Sequence, residues 1–308
     1  MIEVIRAGLC DLVMDQGRPG YAALGVPAGG AADPAALAAA NRLVGNPDGA
    51  AGLEIALTGP QLRFPAGAVV ALTGARFAAH RSSGAAVAWQ QTLVLAAGET
   101  LTLERAEAGC RCWLAVRGGL ALPQVMGSRS TFLPASFGGF QGRALQSGDQ
   151  LPCGAVQGDV KWLRAEPAAS LTGMNMVGLS LRVVAGPQLG GIDDGGLAAF
   201  FATAYRVAAA SDRRGVRLHG TLLRYRADAL PSQGVLPGAV QIPPDGQPII
   251  LGWDGPVTGG YPVVAAVIAA DWPRLAQLKP GDTVRFETID VEAAQMLARQ
   301  SWDIEESG

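Results

Sequence analysis

The stretch Gly238–Pro262, GAVQIPPDGQPIILGWDGPVTGGYP, holds the densest run of residues able to do chemistry. An apolar segment, Pro248–Leu251, is fenced by the turn Pro243-Pro-Asp-Gly246 and by the glycine-rich loop Asp254–Pro262. Adjacent Gly259 and Gly260 let backbone N–H groups approach a ligand, and Asp254, Thr258 and Tyr261 stand beside them as polar handles. Arginine-centred loops repeat the theme. Arg117 sits in Ala115-Val-Arg-Gly-Gly119, Arg129 and Ser130 in Gly127-Ser-Arg-Ser-Thr131, Arg143 ends Gly138-Gly-Phe-Gln-Gly-Arg143, and Asp212 and Arg213 lie in Ser211-Asp-Arg-Arg-Gly-Val-Arg217. A guanidinium is a rigid donor fork suited to carboxylate or phosphate, and serine hydroxyls with glycine N–H groups complete an anion pocket. The competing role for each arginine is to pair with a nearby acid such as Asp212 and order its own loop. Together they predict a small anionic substrate, bound by Arg117, Arg129, Ser130, Arg143, Arg213, Thr258, Gly259, Gly260 and Tyr261. Asp212 and Asp254 are the expected catalytic acids, orienting water or a proton. Asp15, Asp33 and Glu54 are further candidates; helix capping already explains Asp33, and burial would raise the pKa of Glu54 unless an arginine pairs with it.

These residues need rigid elements behind them. Asp33-Pro34 reads as an N-cap with proline at N1, followed by a helix over Ala35–Val44 that stops at Gly45-Asn46. Short strands are expected at Gln61–Phe64, Val69–Thr73, Gln91–Leu95, Thr100–Leu103, Cys110–Val116 and Asp149–Pro152. A second set is expected at Leu181–Val184, Ser211–His219, Ala239–Ile242, Pro248–Leu251, Val263–Ala270 and Thr283–Glu287, interrupted by a helix over Ile192–Tyr205. In that helix Leu197, Phe200, Phe201 and Tyr205 fall at core spacing. Turn signals about every ten residues point to β-sandwiches or barrels. Gly59-Pro-Gln61 recurs as Gly186-Pro-Gln188, and Leu145-Gln-Ser-Gly-Asp149 as Leu278-Lys-Pro-Gly-Asp282. The repeats predict two related β-domains, 1–165 and 166–308, with a seam over 154–180.

The 308 residues include 42 glycines and 20 prolines, about a fifth of the chain, which suits turns and short strands. Hydrophobic residues are 49% and charged residues 16%, the balance of a well-cored protein. A net charge of −2 offers no footprint for nucleic acid or an anionic membrane. No segment approaches the roughly 20 apolar residues that span a bilayer, and Met1–Arg6 lacks the basic start of a secretory leader. Cys10, Cys110, Cys112 and Cys153 form no disulfide framework and read as free thiols, so a cytoplasmic address is expected. Neither Lys161 nor Lys279 lies in a Walker-type loop, and neither carries the setting of a biotinylated lysine. His80 and His219 have no clustered partners, so no metal site is expected.

Many ordered blocks resemble one family. They are Asp15-Gln-Gly-Arg-Pro-Gly20, Gly25-Val-Pro27 with Asp33, Ala40-Asn-Arg-Leu-Val-Gly-Asn46, Leu53-Glu54, Ala115–Gly119, Gly127–Thr131 and Arg182–Gln188. Ser211–Leu218, Gly238-Ala-Val-Gln-Ile-Pro243, Thr258-Gly-Gly-Tyr-Pro262 and Leu275–Asp282 complete the series. The family is the C-type component of 5-oxoprolinase, also called KipA or allophanate hydrolase subunit 2 and classed as biotin-dependent carboxyltransferase-like. The resemblance implies tandem cyclophilin-like β-barrels, and a hetero-oligomer with a KipI-like B-type component and an A-type component. It implies ATP-dependent opening of 5-oxoproline to glutamate, with the ATP-binding component left open. Relatives transfer a carboxyl group from biotin to urea, and a third reading is a non-catalytic binder of a KipI-like kinase inhibitor. Gln16, Gly29, Ala32, Arg214, Gln233, Val257 and Val263 depart from the usual family pattern.

Overall fold

The computed structural model describes residues 1–156, 178–226 and 230–306. The expected domain boundary at 165/166, most of the seam and Lys161 lie outside the described residues. The described chain forms two compact units, one from Met1–Pro19 and Ala28 onward to 156, the other from Gly20–Pro27 and 178 onward.

The first unit runs β1 (Ile2–Arg6), β2 (Cys10–Met14), α1 (Pro34–Leu43), β3 (Gly52–Ala56), β4 (Gln61–Phe64) and β5 (Ala68–Gly74). It continues with β6 (Phe77–Arg81), β7 (Leu93–Leu95), β8 (Glu99–Ala106), β9 (Arg111–Val116) and β10 (Gln150–Leu151). Two five-stranded sheets result, in the orders β10-β1-β4-β8-β6 and β2-β3-β9-β5-β7. Alternate residues of both bury one core: Ile2, Val4, Leu62, Phe64, Leu101 and Leu103 from the first, Val13, Leu53, Ile55, Leu72, Cys112 and Leu114 from the second. Helix α1 covers the other face of the second sheet, packing Ala40, Leu43 and Val44 on Ala71 and Ala115. Its start is as the sequence predicts, with Asp33 accepting from the Ala36 N–H at 3.0 Å and Pro34 at N1.

The second unit runs β11 (Leu179–Ala185), α2 (Asp194–Ala202), β12 (Tyr205–Val207), β13 (Gly215–His219), β14 (Gln233–Gly234) and β15 (Ala239–Gln241). Then come β16 (Ile249–Leu251), β17 (Thr258–Gly259), β18 (Val263–Val267), α3 (Trp272–Ala276), β19 (Thr283–Thr288) and α4 (Val291–Glu306). Seven strands close a barrel in the order β11-β18-β15-β16-β13-β12-β19, which leaves that sheet no open edge. The small β14–β17 ribbon stands apart from it, pairing Gln233 with Gly259 and Gly234 with Thr258. A mainly β architecture with few helices is thus observed, as the tandem-barrel expectation required.

Several elements differ from expectation. Tyr205 is on β12, not at the end of a helix; α2 stops at Ala202, and Tyr205 joins Phe200 and Phe286 in a ring cluster with centroids 4.6–6.1 Å apart. The strand expected over Ser211–His219 begins only at Gly215, because Asp212 accepts from the N–H groups of Arg214 and Gly215 and holds a turn. Strands β1, β2, β6, β12, β14 and β17 and helices α3 and α4 lie outside the expected set. The repeated Leu-x-x-Gly-Asp blocks are the same turn: Asp149 accepts from the Gln146 N–H and Asp282 from the Lys279 N–H, with Gly148 and Gly281 at φ of 94° and 92°.

Candidate functional site

In the first unit the nominated loops are locked by one carboxylate. Asp15 follows β2 and is buried; its Oδ1 accepts from Ser128 Oγ (2.6 Å), Ser130 Oγ (2.6 Å) and the Gly17 N–H (2.8 Å). Its Oδ2 accepts from the Arg129 N–H at 2.5 Å. The Arg129 side chain donates to the Leu122 carbonyl at 2.7 Å. Beneath lies fully buried Arg18, donating to the Ser130 carbonyl at 2.5 Å with its guanidinium 4.9 Å from the Phe137 ring centre. Arg117 is buried at the end of β9, where Asn46 pins the following turn by accepting from the Gly118 N–H and donating to the Val116 carbonyl. Arg143 is engaged with Asp149 by two contacts of 2.7 and 2.8 Å, which raises the arginine pKa and lowers that of the aspartate.

Two other buried acids of this unit sit near α1. Glu54 accepts from the Ala32 N–H at 2.8 Å and lies 3.4 Å from Arg111 Nε, so an arginine does pair with it. Burial pushes Asp33 up to about 6, partly offset by the N–H groups it caps.

In the second unit Arg213 and Asp254 face each other. Arg213 Nε lies 2.7 Å and Nη2 3.2 Å from the Asp254 carboxylate, and both side chains are almost wholly buried. Asp212 is exposed and pairs with Arg214 at 3.0 Å. The two acids expected to be catalytic thus each hold an arginine. Thr258, Gly259, Gly260 and Tyr261 form the β17 end of the ribbon, and Gly260 and Tyr261 line a cavity of about 650 Å³. Its other walls are Leu223, Ile242, Pro243 and Pro262, with Arg224, Tyr225 and Asp245 supplying polarity. The Pro243–Gly246 turn singled out in the sequence is one wall of it. An apolar lining with a few convergent polar groups is the usual makeup of a small-ligand site. Arg224 is exposed and has no carboxylate within ion-pair distance among the described residues; Tyr261 is 44% exposed, and among those residues its phenol has no hydrogen bond. Sequence reasoning missed Arg224 and Tyr225; Leu222-Leu-Arg-Tyr-Arg226 has no glycine to mark it as a loop. Among the described residues no group of three or more His, Cys, Asp or Glu could hold a metal ion, and no helix is long and apolar enough to cross a membrane.

The family described as carboxyltransferase domain, subdomain A and B, matches residues 24–288. The C-type component of 5-oxoprolinase from Escherichia coli K12 is 40% identical over 97% of this chain and 94% of its own length. This chain belongs to that family. The corresponding 5-oxoprolinase component of Haemophilus influenzae is 33% identical, over 98% of this chain and 95% of its own. Among solved structures, the Kluyveromyces lactis urea amidolyase superposes with a TM-score of 0.87 at 30% identity, covering 97% of this chain and 19% of that one. Family members thus occur as separate polypeptides and as one part of longer enzymes.

Proposed function

We propose that this chain is the C-type component of an ATP-dependent 5-oxoprolinase complex, working with an A-type and a KipI-like B-type component to convert 5-oxoproline to glutamate. The end-to-end match to the Escherichia coli protein carries the reading. In the reaction the lactam C–N bond breaks and water supplies the new carboxylate oxygen, with ATP hydrolysis driving it. Arg143, Arg213 and Lys279 are engaged with Asp149, Asp254 and Asp282, so these three do not offer a triphosphate free donors. The second unit's cavity suits the substrate. Arg224 would face its carboxylate, the Tyr261 phenol a carbonyl or ring N–H, and Leu223, Ile242 and Pro243 would keep water from the ring. Reconstitution tests the proposal: omitting this chain abolishes ATP-coupled glutamate formation, and an unchanged rate without it refutes the assignment.

A second reading is carboxyl transfer from a biotinylated partner to urea or a similar amide, favoured by the superposition on urea amidolyase. The cavity's apolar wall fits a bicyclic ring, and biotin would carry the activated carboxyl group. Product carboxylated from supplied carboxybiotin, without ATP-coupled glutamate formation, selects this reading.

A further inference from the structure

The cavity of the second unit carries a charge of each sign. Arg224 and Asp245 both line it and both are exposed. Among the described residues neither has an opposite charge within ion-pair distance. Their backbones are nonetheless fixed side by side: the Leu223 N–H donates to the Gly246 carbonyl at 3.0 Å, and the two charged residues adjoin that contact. Gly246 permits the approach, since its φ is 76° and an added Cβ would lie 3.0 Å from the Leu223 carbonyl oxygen. On the arginine side the Arg226 N–H donates to the Gly191 carbonyl at 2.9 Å, and Tyr225 packs so closely on Gly191 that a Cβ there has no room. On the other side the Gly246 N–H closes a turn on the Pro243 carbonyl at 2.9 Å. Asp245 Oδ1 accepts from the Gln247 N–H at 3.1 Å, and its Oδ2 has no partner among the described residues. Opposite charges on anchored neighbouring segments, left unpaired at one cavity, match the two poles of a zwitterion.

We propose that the cavity selects α-amino acids, with Arg224 reading the carboxylate and Asp245 the ammonium group. A guanidinium is a donor fork for carboxylate, whereas an ionised carboxylate only accepts, so Asp245 discriminates by the ligand's nitrogen. Leu223, Ile242 and Pro243 give the ligand's methylenes an apolar wall. The inference rests on the proposed 5-oxoprolinase activity and deepens it. In that reaction the lactam C–N bond breaks, the oxygen of water joins the carbonyl carbon, and both protons of water finish on nitrogen. Asp245 then meets a neutral N–H in 5-oxoproline and a cation in glutamate. The cavity therefore holds the product more tightly than the substrate, and glutamate is expected to inhibit through it.

The test is calorimetric titration of the complex assembled with its partner polypeptides, without ATP. The separate probes are L-glutamate, 5-oxoproline and glutarate, which is glutamate without its amine. Wild type should bind L-glutamate about tenfold more tightly than either of the others. Asp245→Asn keeps an acceptor for the Gln247 N–H and removes the charge. It should leave the melting temperature level and erase the preference, while glutarate binding holds or tightens. In turnover, inhibition by glutamate should weaken by about the same tenfold factor, with a smaller change in KM for 5-oxoproline. Arg224→Ala should weaken all three probes, because each carries a carboxylate.

A wild-type complex that binds glutarate as tightly as L-glutamate, or binds none of the three, overturns the inference. So does an Asp245→Asn complex that keeps the full preference, or one that melts lower and loses affinity for all three probes alike, the mark of a turn residue alone. If ATP-coupled glutamate formation is absent yet the Asp245-dependent preference persists, the proposed activity falls and this inference stands. Normal glutamate formation with a preference indifferent to Asp245→Asn gives the reverse.

Discussion

The cluster around Asp15 in the first unit and the cavity beside Tyr261 in the second use the same residue types to opposite ends. Around Asp15 four donors converge on one carboxylate, and the backbone N–H groups, serine hydroxyls and Arg18 beneath are held by the loops themselves. At the cavity Arg224 and the Tyr261 phenol stand exposed without such partners among the described residues. A satisfied polar network rigidifies the fold, whereas polar groups left unmatched are costly unless something binds them. An arginine or serine in a glycine-rich loop is therefore no sign of a site until its partners are counted.

The largest expected effect comes from a buried, satisfied ion pair of the second unit. Arg213→Ala strands the Asp254 carboxylate, which is almost fully buried, and should lower stability by about 3–5 kcal/mol in denaturant unfolding. Arg213→Met with Asp254→Leu should recover most of it, because no lone charge remains. If Arg213→Ala is instead well folded and only catalytically impaired, the pair belongs with the cavity and the contrast between the two regions fails.

Next is Asp15→Asn. The new amide group points donors at a site already filled by the Arg129 N–H or the two serine hydroxyls, and about 2–3 kcal/mol of stability should be lost. Ser128→Ala and Ser130→Ala should each cost less, since Asp15 keeps its other donors. Equal costs for all three would mean that the carboxylate is not the hub.

A pH titration probes buried acids outside both regions. Burial pushes Asp11 from 3.8 up to about 7, against the pull of the Gly8 N–H and the Arg6 charge. The folded protein thus holds a proton that the unfolded chain releases near 3.8, so this stabilisation is complete below that pH and is lost as pH rises toward 7. Asp33, raised to about 6, acts in the same direction, while Glu99, lowered to about 2 chiefly by Arg81, loses its contribution as pH falls below 4.5. Asp11→Asn should flatten the fall in stability between about pH 4 and 7; an unaltered profile would place the titration elsewhere.

What is legible in the sequence is local. Asp33-Pro34 announces α1 because capping is decided within four residues, and the Leu-x-x-Gly-Asp turns close on their own aspartates. The Thr258–Tyr261 loop and the Pro243–Gly246 turn stand out by their glycines and prolines, and both border the cavity. The role of Asp15 is not legible, because Ser128 and Ser130 lie more than a hundred residues away. Aromatic spacing extends the helix to Tyr205 because spacing alone does not distinguish α2 from a strand packing on the same Phe200.

The smallest stability effect tests the cavity most directly. Arg224 is exposed, with no ion pair to lose among the described residues, so Arg224→Ala should change unfolding free energy by no more than about 0.5 kcal/mol. Its effect on an anionic substrate should be far larger, because a charge-assisted hydrogen bond is worth about 1.5–3 kcal/mol and its loss raises KM by roughly ten- to a hundredfold. The neutral analogue 2-pyrrolidone separates charge from shape: its affinity should be indifferent to Arg224→Ala, whereas that of 5-oxoproline should fall. If both ligands weaken equally, Arg224 shapes the wall rather than reading a carboxylate. If neither does, the cavity is not where this chain meets its substrate, and the difference between its two polar regions is one of exposure alone.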